Sequence, residues 1–150
     1  MTIDELKDII KNGENSNIEF KSSDVSVNES QNIKQYQFSI EVFREAIVNA
    51  VAHRDYTIIG SSIRIFVFSD RIEIFSPGGL PNTMTLNNIK YRQYSRNQTI
   101  VSYLTGFGYM EKRGKGIIKM INICKKNNLP EPIFEVIPDN SEFKVTLCFS

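Results

Sequence analysis

The sequence has little of several features that whole classes of protein require. Its only two cysteines, Cys124 and Cys148, lack the spacing of a zinc site or a redox pair, so both are expected to be free thiols. No apolar run approaches the roughly 18 residues that a membrane span needs, and no signal peptide opens the chain. We therefore expect a cytoplasmic protein with no membrane partner.

An excess of charge of one sign is also lacking. The 18 Lys and Arg residues are nearly balanced by 17 Asp and Glu residues, which gives a formal net charge of +1. Direct DNA binding would predict a basic face on the molecule. The near-zero charge therefore disfavours a DNA-binding role for this chain, and its 150 residues fit one ordinary domain.

Two short motifs each match part of a known functional loop, but neither match is complete. His53-Arg54-Asp55 has the letters of a protein-kinase catalytic loop, yet Gly60 stands where that loop has its metal-binding Asn. Gly114-Lys115 resembles the end of a phosphate-binding P-loop, yet Gly116 replaces the hydroxyl residue that would hold magnesium. We therefore interpret His53-Arg54-Asp55 as a helix end, and the chain by itself cannot be a helicase motor.

Hydrophobic periodicity and turn residues predict an α+β fold. The predicted helices cover about 39–53, with Ser39 as the N-cap, then 97–104 and 115–127; the predicted strands cover 62–68, 71–76, 133–137 and 143–149. Ile40, Phe43, Ile47 and Val51 recur at helical spacing and are expected to form the core face of the first helix. Antiparallel strands on one side and helices on the other indicate a two-layer α/β sandwich.

Composition divides the chain into three segments. Residues 1–21 contain a capping box, a short helix to about Lys11 and an alternating strand at 17–21. Residues 22–35 are rich in Ser, Asn, Asp and Gln and are expected to form a linker. The compact domain is predicted at 36–150, with a polar stretch at about 81–96 that includes a helical turn near 85–89.

Three separated motifs in that domain are candidates for a ligand site. The first is Glu45 and Asn49, which lie four residues apart and so project within about 40° of each other on one helix face. A carboxylate there could take a proton from an attacking water, and an amide oxygen suits Mg²⁺. A simpler interpretation is that both side chains are solvated.

The other two motifs are glycine turns. Pro77-Gly78-Gly79 ends a strand, and glycine there allows the backbone to approach a base or a sugar, although an ordinary turn is the alternative. Arg113-Gly114-Lys115-Gly116 opens a helix, where free amides and two cationic side chains would favour phosphate. A flexible entry into the helix is the alternative interpretation of this second motif.

In this order, the motifs resemble the N, G1 and G2 boxes of the GHKL ATPase superfamily. The resemblance is strongest to the GHKL-like domain of RecG-related helicases and AlbA/Schlafen-type transcriptional regulators, through Arg44-Glu45-Ala46, His53 to Tyr56, Arg96-Asn97 and the two glycine motifs. Residues 1–21 are similar to the start of the AlbA/Schlafen-type domain that usually precedes it. The resemblance implies a GHKL (Bergerat-like) sandwich with a mixed, mostly antiparallel sheet and helices on one face.

The resemblance also implies ATP and Mg²⁺ as cofactors. Glu45 would be the catalytic base and Asn49 the metal ligand, with Ser76, Gly78 and Gly79 on the base and ribose side. The phosphate side would be formed by Arg113, Gly114, Lys115 and Gly116. One departure is Ser76, which stands where GHKL ATPases have the Asp that recognises adenine. In the polar stretch, Lys90, Arg92 and Arg96 would either meet phosphates or belong to a solvated loop.

Two functions follow as expectations. The first is a nucleotide-binding regulatory domain of a transcriptional regulator, with weak Mg-dependent ATPase activity and with DNA contacted only through regions missing from this chain. The second is a degenerate GHKL fold that binds no nucleotide and serves as an interaction or homodimerisation module. The loss of the Asp at position 76 favours the second, and the retention of Glu45, Asn49 and the Gly-x-Gly motif favours the first.

Overall fold

A computed structural model describes residues 39–111 and 115–149, together with the backbone of 18–22. The short helix predicted before Lys11 and residues 23–35 of the predicted linker lie outside the described residues. The division of the chain at residue 36 stays a prediction.

Three α-helices occur in the described part of the chain, at the positions that the sequence predicts. They are α1 (Ile40–His53), α2 (Gln98–Gly106) and α3 (Gly116–Lys126). Ser39 caps α1 as predicted, because its hydroxyl accepts a hydrogen bond from the Val42 amide at 3.4 Å. None of these helices combines the length and the apolarity needed to cross a bilayer.

The described strands form one mixed sheet in the order β1-β2-β3-β5-β4. Their ranges are β1 (Ile18–Ser22), β2 (Ile63–Val67), β3 (Arg71–Pro77), β4 (Ile133–Val136) and β5 (Glu142–Cys148). β1 pairs parallel with β2, and the other pairs are antiparallel. The predicted hairpin between β2 and β3 is confirmed, with Phe68 donating to the Arg71 carbonyl around Ser69-Asp70.

The core lies between the sheet and the helices, which gives the predicted two-layer α+β sandwich. Ile65, Ile74 and Val145 stand side by side on neighbouring strands and are all buried, so they form the centre of the helix-facing side of the sheet. Small α1 residues, Ala46 and Ala50, pack on this layer and let the helix approach it closely. Strand alternation therefore provides one apolar face, and the helices cover it.

The predicted core face of α1 needs one correction. Ile40 was expected to belong to it but is 50% exposed, whereas Val42 is buried. Ile40 is the first residue of α1, at the end of the helix. Farther along, α1 contacts both the sheet and α3, so a wider arc of the helix is covered than one apolar stripe, and Val42 lies within it. Residues on the predicted solvent side, including Glu45, are consequently buried beneath α3.

Candidate functional site

A cavity of about 270 Å³ lies between α1, the sheet, the start of α3 and the loop formed by residues 80–96, named here the roof loop. Its lining is mostly apolar and includes Ile74 and Val145 from the sheet, Met84 and Ile89 from the roof loop, and Ile117 and Met120 from α3. Pockets for small molecules typically measure about 300 to 1,000 Å³ and combine apolar walls with a few polar groups. The cavity therefore has the size and character of a compact ligand site.

Five of the residues predicted for the site line this cavity. They are Asn49, Ser76, Gly78, Gly79 and Gly116. Glu45 is buried just behind the cavity, and Lys115 is exposed at the N-cap of α3. Arg113 and Gly114 lie outside the described residues. Motifs separated by up to 67 positions in the sequence thus come together around one space.

Glu45 and Asn49 form a connected pair in the structure. The Asn49 Nδ2 donates to the Glu45 backbone oxygen at 2.8 Å and to Glu45 Oε1 at 3.3 Å. Glu45 is only 7% exposed, and its Oε2 lies 3.5 Å from Lys119 Nζ on α3. These contacts use the donor side of the Asn49 amide, which makes Oδ1 the atom suited to a cation.

Gly116 packs directly against this pair. A Cβ atom at position 116 would lie 2.8 Å from Asn49 Nδ2 and closer still to Glu45 Oε1. A glycine at the first position of α3 therefore lets the N-terminus of this helix rest on the two side chains. The free amides of that first turn point toward the end of the helix, where an anion is favoured.

Ser76 has a defined hydrogen bond at the opposite side of the cavity. It is 6% exposed, and its hydroxyl donates to the Ala50 carbonyl oxygen at 3.1 Å. A hydroxyl has one proton, so this bond leaves only acceptor lone pairs for a ligand. Ser76 therefore suits a ligand group that donates a hydrogen bond, such as an exocyclic amine.

Arg54 confirms that His53-Arg54-Asp55 ends a helix. Its buried guanidinium donates to the backbone oxygens of Asp55, Ile58 and Ser61 and so orders the turn that follows α1. The Asp55 carboxylate accepts from the amide and hydroxyl of Thr57 at 3.0 and 2.6 Å, and these bonds lower the pKa of Asp55. Arg54 and Asp55 of the kinase-like motif therefore have structural roles.

Arg96 and Asn97 fasten the end of the roof loop to the end of α1. Arg96 donates to the His53 carbonyl at 3.3 Å and to the Gly79 carbonyl at 2.9 Å. Asn97 donates to the carbonyls of Ala52 and Arg54, which the helix terminus would otherwise leave unpaired. The Arg96 side chain also lines the cavity, so the expectation that it meets phosphates stays a prediction beside its observed bonds to these carbonyls.

The remaining cationic residues of the roof loop differ in position. Both Arg92 and Lys90 are exposed, but of the two Arg92 also lines the cavity. The helical turn predicted near 85–89 is present as a turn, in which the Ile89 amide donates to the Thr85 carbonyl at 2.9 Å. This turn directs Ile89, which is 7% exposed, into the cavity.

Sequence reasoning gave His53 no ligand role, yet it lines the cavity at the end of α1. Its pKa is held below the usual 6.5, mainly because burial disfavours the charged ring and also because the positive Arg96 is near. The imidazole is therefore neutral at neutral pH. His53 lies at the cavity because the end of α1 contacts the roof loop. No local sequence pattern around His53 indicates that contact.

Lowering the pH from about 7.5 to about 5.5 is expected to destabilise the domain through His53. The unfolded chain takes up a proton as the pH falls through 6.5, whereas the folded chain resists it, so stability is lost in that range. Urea unfolding at several pH values measures the effect. His53 is the only histidine, so His53→Gln should flatten the profile; an unchanged slope in that variant would contradict the assignment.

The architecture defines a class, that of two-layer α+β sandwich domains. The model of the family HATPase_c_4, described as "Putative ATP-dependent DNA helicase recG C-terminal", matches residues 60–147. This match spans more than half of the chain, and the chain belongs to that family. The matched range contains β2, β3 and Gly116 but begins after Glu45 and Asn49.

A solved structure gives the same fold. The DIP2311 protein from Corynebacterium diphtheriae superimposes with a TM-score of 0.68 at 25% sequence identity. The alignment covers 73% of this chain but only 23% of the other, so this chain spans about a quarter of the length of that protein. No curated protein matches the chain.

Proposed function

We propose that the cavity binds an adenine nucleotide together with Mg²⁺. The observation that carries the proposal is the convergence of Asn49, Ser76, Gly79 and Gly116, which come from three separate parts of the sequence, on one mostly apolar cavity. Apolar walls suit a base, and a few placed polar groups fix its orientation. Membership of an ATPase-like family supports the same ligand class.

The base would lie toward the sheet and the phosphates toward α3. On the base side, the Ser76 hydroxyl would accept a hydrogen bond from the exocyclic amine, since its proton is already donated to Ala50. On the phosphate side, the amides at the start of α3 would bind phosphate oxygens near Gly116. Lys115, Arg113 and Gly114 complete the proposed phosphate side.

Asn49 would hold the metal through Oδ1. Mg²⁺ commonly binds through one or two protein oxygens together with substrate phosphates and water, so a single amide oxygen beside the phosphate side fits this cation. When bound, Mg²⁺ would neutralise part of the phosphate charge. The chain's own contribution is an amide already oriented by its two hydrogen bonds to Glu45.

Glu45 is the residue proposed to take the proton from water in a weak ATPase reaction. Its carboxylate lies against Asn49 and Gly116, both of which line the cavity. A buried carboxylate next to the phosphate side can act as a general base if water reaches it from the cavity. Under the proposal, Glu45→Gln binds nucleotide and does not hydrolyse it.

A second candidate function is an interaction or homodimerisation module. Two observations favour it: Ser76 carries no charge for adenine recognition, and Tyr103 of α2 and Phe107 at its C-cap are 66% and 74% exposed. Aromatic side chains with this exposure are common in protein interfaces. In either case we place the domain in a RecG-related transcriptional regulator whose DNA contacts lie in regions outside this chain.

Calorimetry with Mg-ATP and with a non-hydrolysable analogue tests the proposal. Asn49→Ala is expected to weaken binding at least about tenfold, since even the loss of a group that orients a metal ligand costs about that much. Alanine favours the helix, so folding should be retained. Asn122→Ala, at an exposed position of α3, is the matched control and should bind as the wild type does. Absence of wild-type binding at millimolar nucleotide would refute the proposal and favour the second candidate.

A further inference from the structure

Lys119 stands at the centre of a group of carboxylates directly behind the cavity. Its Nζ lies 3.5 Å from Glu45 Oε2, 3.7 Å from Glu41 Oε1 and 3.8 Å from Glu111 Oε1. The three partners differ in environment, because the side chain of Glu45 is 9% exposed whereas those of Glu41 and Glu111 are 58% and 66% exposed. Lys119 is therefore the charge partner of one buried carboxylate and of two at the surface.

The buried partner connects Lys119 to the proposed metal ligand. Glu45 accepts from Asn49 Nδ2 through both its backbone oxygen and Oε1, while Oε2 faces Lys119. The carboxylate is thus held at one oxygen by the lysine and presents the other to the amide. An acceptor at that place selects the amide orientation with Nδ2 toward Glu45 and Oδ1 away from it.

We propose that Lys119 is a positioning residue for cation binding: it holds the Glu45 carboxylate in place, Glu45 orients the Asn49 amide, and Asn49 Oδ1 is thereby prepared for Mg²⁺. The inference rests on the proposed nucleotide function for its last step only. The first two steps concern contacts within this chain. A buried carboxylate deprived of its cation is unfavourable, so the Glu45 side chain changes its position when Lys119 is lost.

Lys119 and Gly116, which both contact Glu45, lie on the same helix, α3. Lys119 lies one turn after Gly116, and its amide donates to the Lys115 carbonyl at 2.8 Å. The same helix therefore supplies both the glycine that covers Glu45 and the cation that holds it. Displacement of the first turn of α3 would disturb the metal ligand through Lys119 as well as through Gly116.

The Asn49 side-chain amide provides a direct readout in ¹⁵N NMR spectra. Lys119→Met is expected to shift the two Nδ2 proton signals of Asn49, and Lys119→Arg should restore them largely to the wild-type positions. Lys126→Met, the same change at an exposed position of α3, should leave them unchanged. Wild-type Asn49 signals in Lys119→Met would overturn the proposal, whatever nucleotide does.

Nucleotide titration tests the last step separately. Lys119→Met is expected to reduce the ratio of ATP affinity with Mg²⁺ to ATP affinity in EDTA by about 10- to 100-fold, as loss of groups behind a metal ligand does. An unchanged ratio would overturn the role in cation binding. If the wild type binds no nucleotide, the proposed function fails, while the Asn49 signals still decide whether Lys119 orients the amide.

If Lys119→Met does not fold, a double variant tests the proposal instead. The double variant Lys119→Met with Glu45→Gln removes both charges and so avoids an unpaired buried carboxylate. We expect it to fold and to show Asn49 amide signals that differ from those of Glu45→Gln alone. A folded double variant with the same Asn49 signals as Glu45→Gln would overturn the proposal, because loss of Lys119 would then leave the amide unaffected.

Discussion

Gly116→Ala is expected to weaken Mg-nucleotide binding by about tenfold or more. The added Cβ would lie 2.8 Å from Asn49 Nδ2 and nearer still to Glu45 Oε1, so the pair or the start of α3 must move. Inserting a methyl group into a packed site typically destabilises that arrangement by about 1 to 3 kcal/mol. Binding that requires the original arrangement loses this free energy, and about 1.4 kcal/mol corresponds to a factor of ten in Kd. Calorimetry with Mg-ATP measures the loss.

Gly106→Ala is the control for this variant. Gly106 is the last residue of α2, and a Cβ there would meet no atom within 4 Å. Both substitutions replace a glycine with an alanine in a helix, so their difference isolates the contact with Glu45 and Asn49. Wild-type affinity in Gly116→Ala would show that the close approach of α3 to this pair is not needed for the site.

Gly78→Ala is expected to lower the free energy of unfolding by about 2 to 5 kcal/mol, which combines left-handed backbone strain with overpacking. Gly78 has φ of +92°, and a Cβ there would lie 2.5 Å from Asp55 Cβ and closer still to Arg96 Nη1. The collision would separate the end of β3 from the end of α1 and the roof loop. Urea unfolding measures the change.

Gly60→Ala separates the two causes. Gly60 has a similar φ of +83°, but a Cβ there would meet nothing within 4 Å. Its substitution should cost only the backbone strain, about 1 to 2 kcal/mol. Equal destabilisation by the two variants would mean that the packing of Gly78 against Asp55 and Arg96 contributes nothing to stability.

The parts of the fold that were predictable depend on interactions between near neighbours in the chain. Ser39 caps α1 through the amide three residues later, and the β2-β3 hairpin closes around two residues. Periodicity placed the ends of all three described helices within two residues, and the largest difference is the end of α2 at Gly106. Short-range hydrogen bonds and alternation leave a direct trace in the sequence.

The features that were missed arise from contacts between distant segments. Ile40 has the spacing of a core residue, but the position of α3 decides which arc of α1 is covered. In the sequence, Lys119 is indistinguishable from a solvated lysine on a helix. The structure shows that it lies beside the buried Glu45 carboxylate. Arg96 lines the cavity, and only the docking of the roof loop on α1 reveals that its guanidinium also donates to carbonyl oxygens.

The candidate site was predictable in its parts but not in its arrangement. Asn49, Ser76 and Gly116 were each singled out from local motifs, and the structure brings all three to one cavity. The hydrogen bond from Ser76 to Ala50 was not predictable, because it joins residues 26 positions apart. That bond limits the hydroxyl to accepting from a ligand, which refines the expectation for a residue in the place of the family's Asp.

The most direct test of the account is an NMR titration of the wild-type domain with Mg²⁺ and a non-hydrolysable ATP analogue. We predict saturable shifts at Asn49, Gly79 and Gly116 around the cavity. Little change is expected at Phe66, which follows the buried Ile65 in β2 and so lies on the opposite face of the sheet. Absence of shifts at millimolar ligand, or shifts confined to the Phe66 face, would contradict the assignment of the cavity as a nucleotide site.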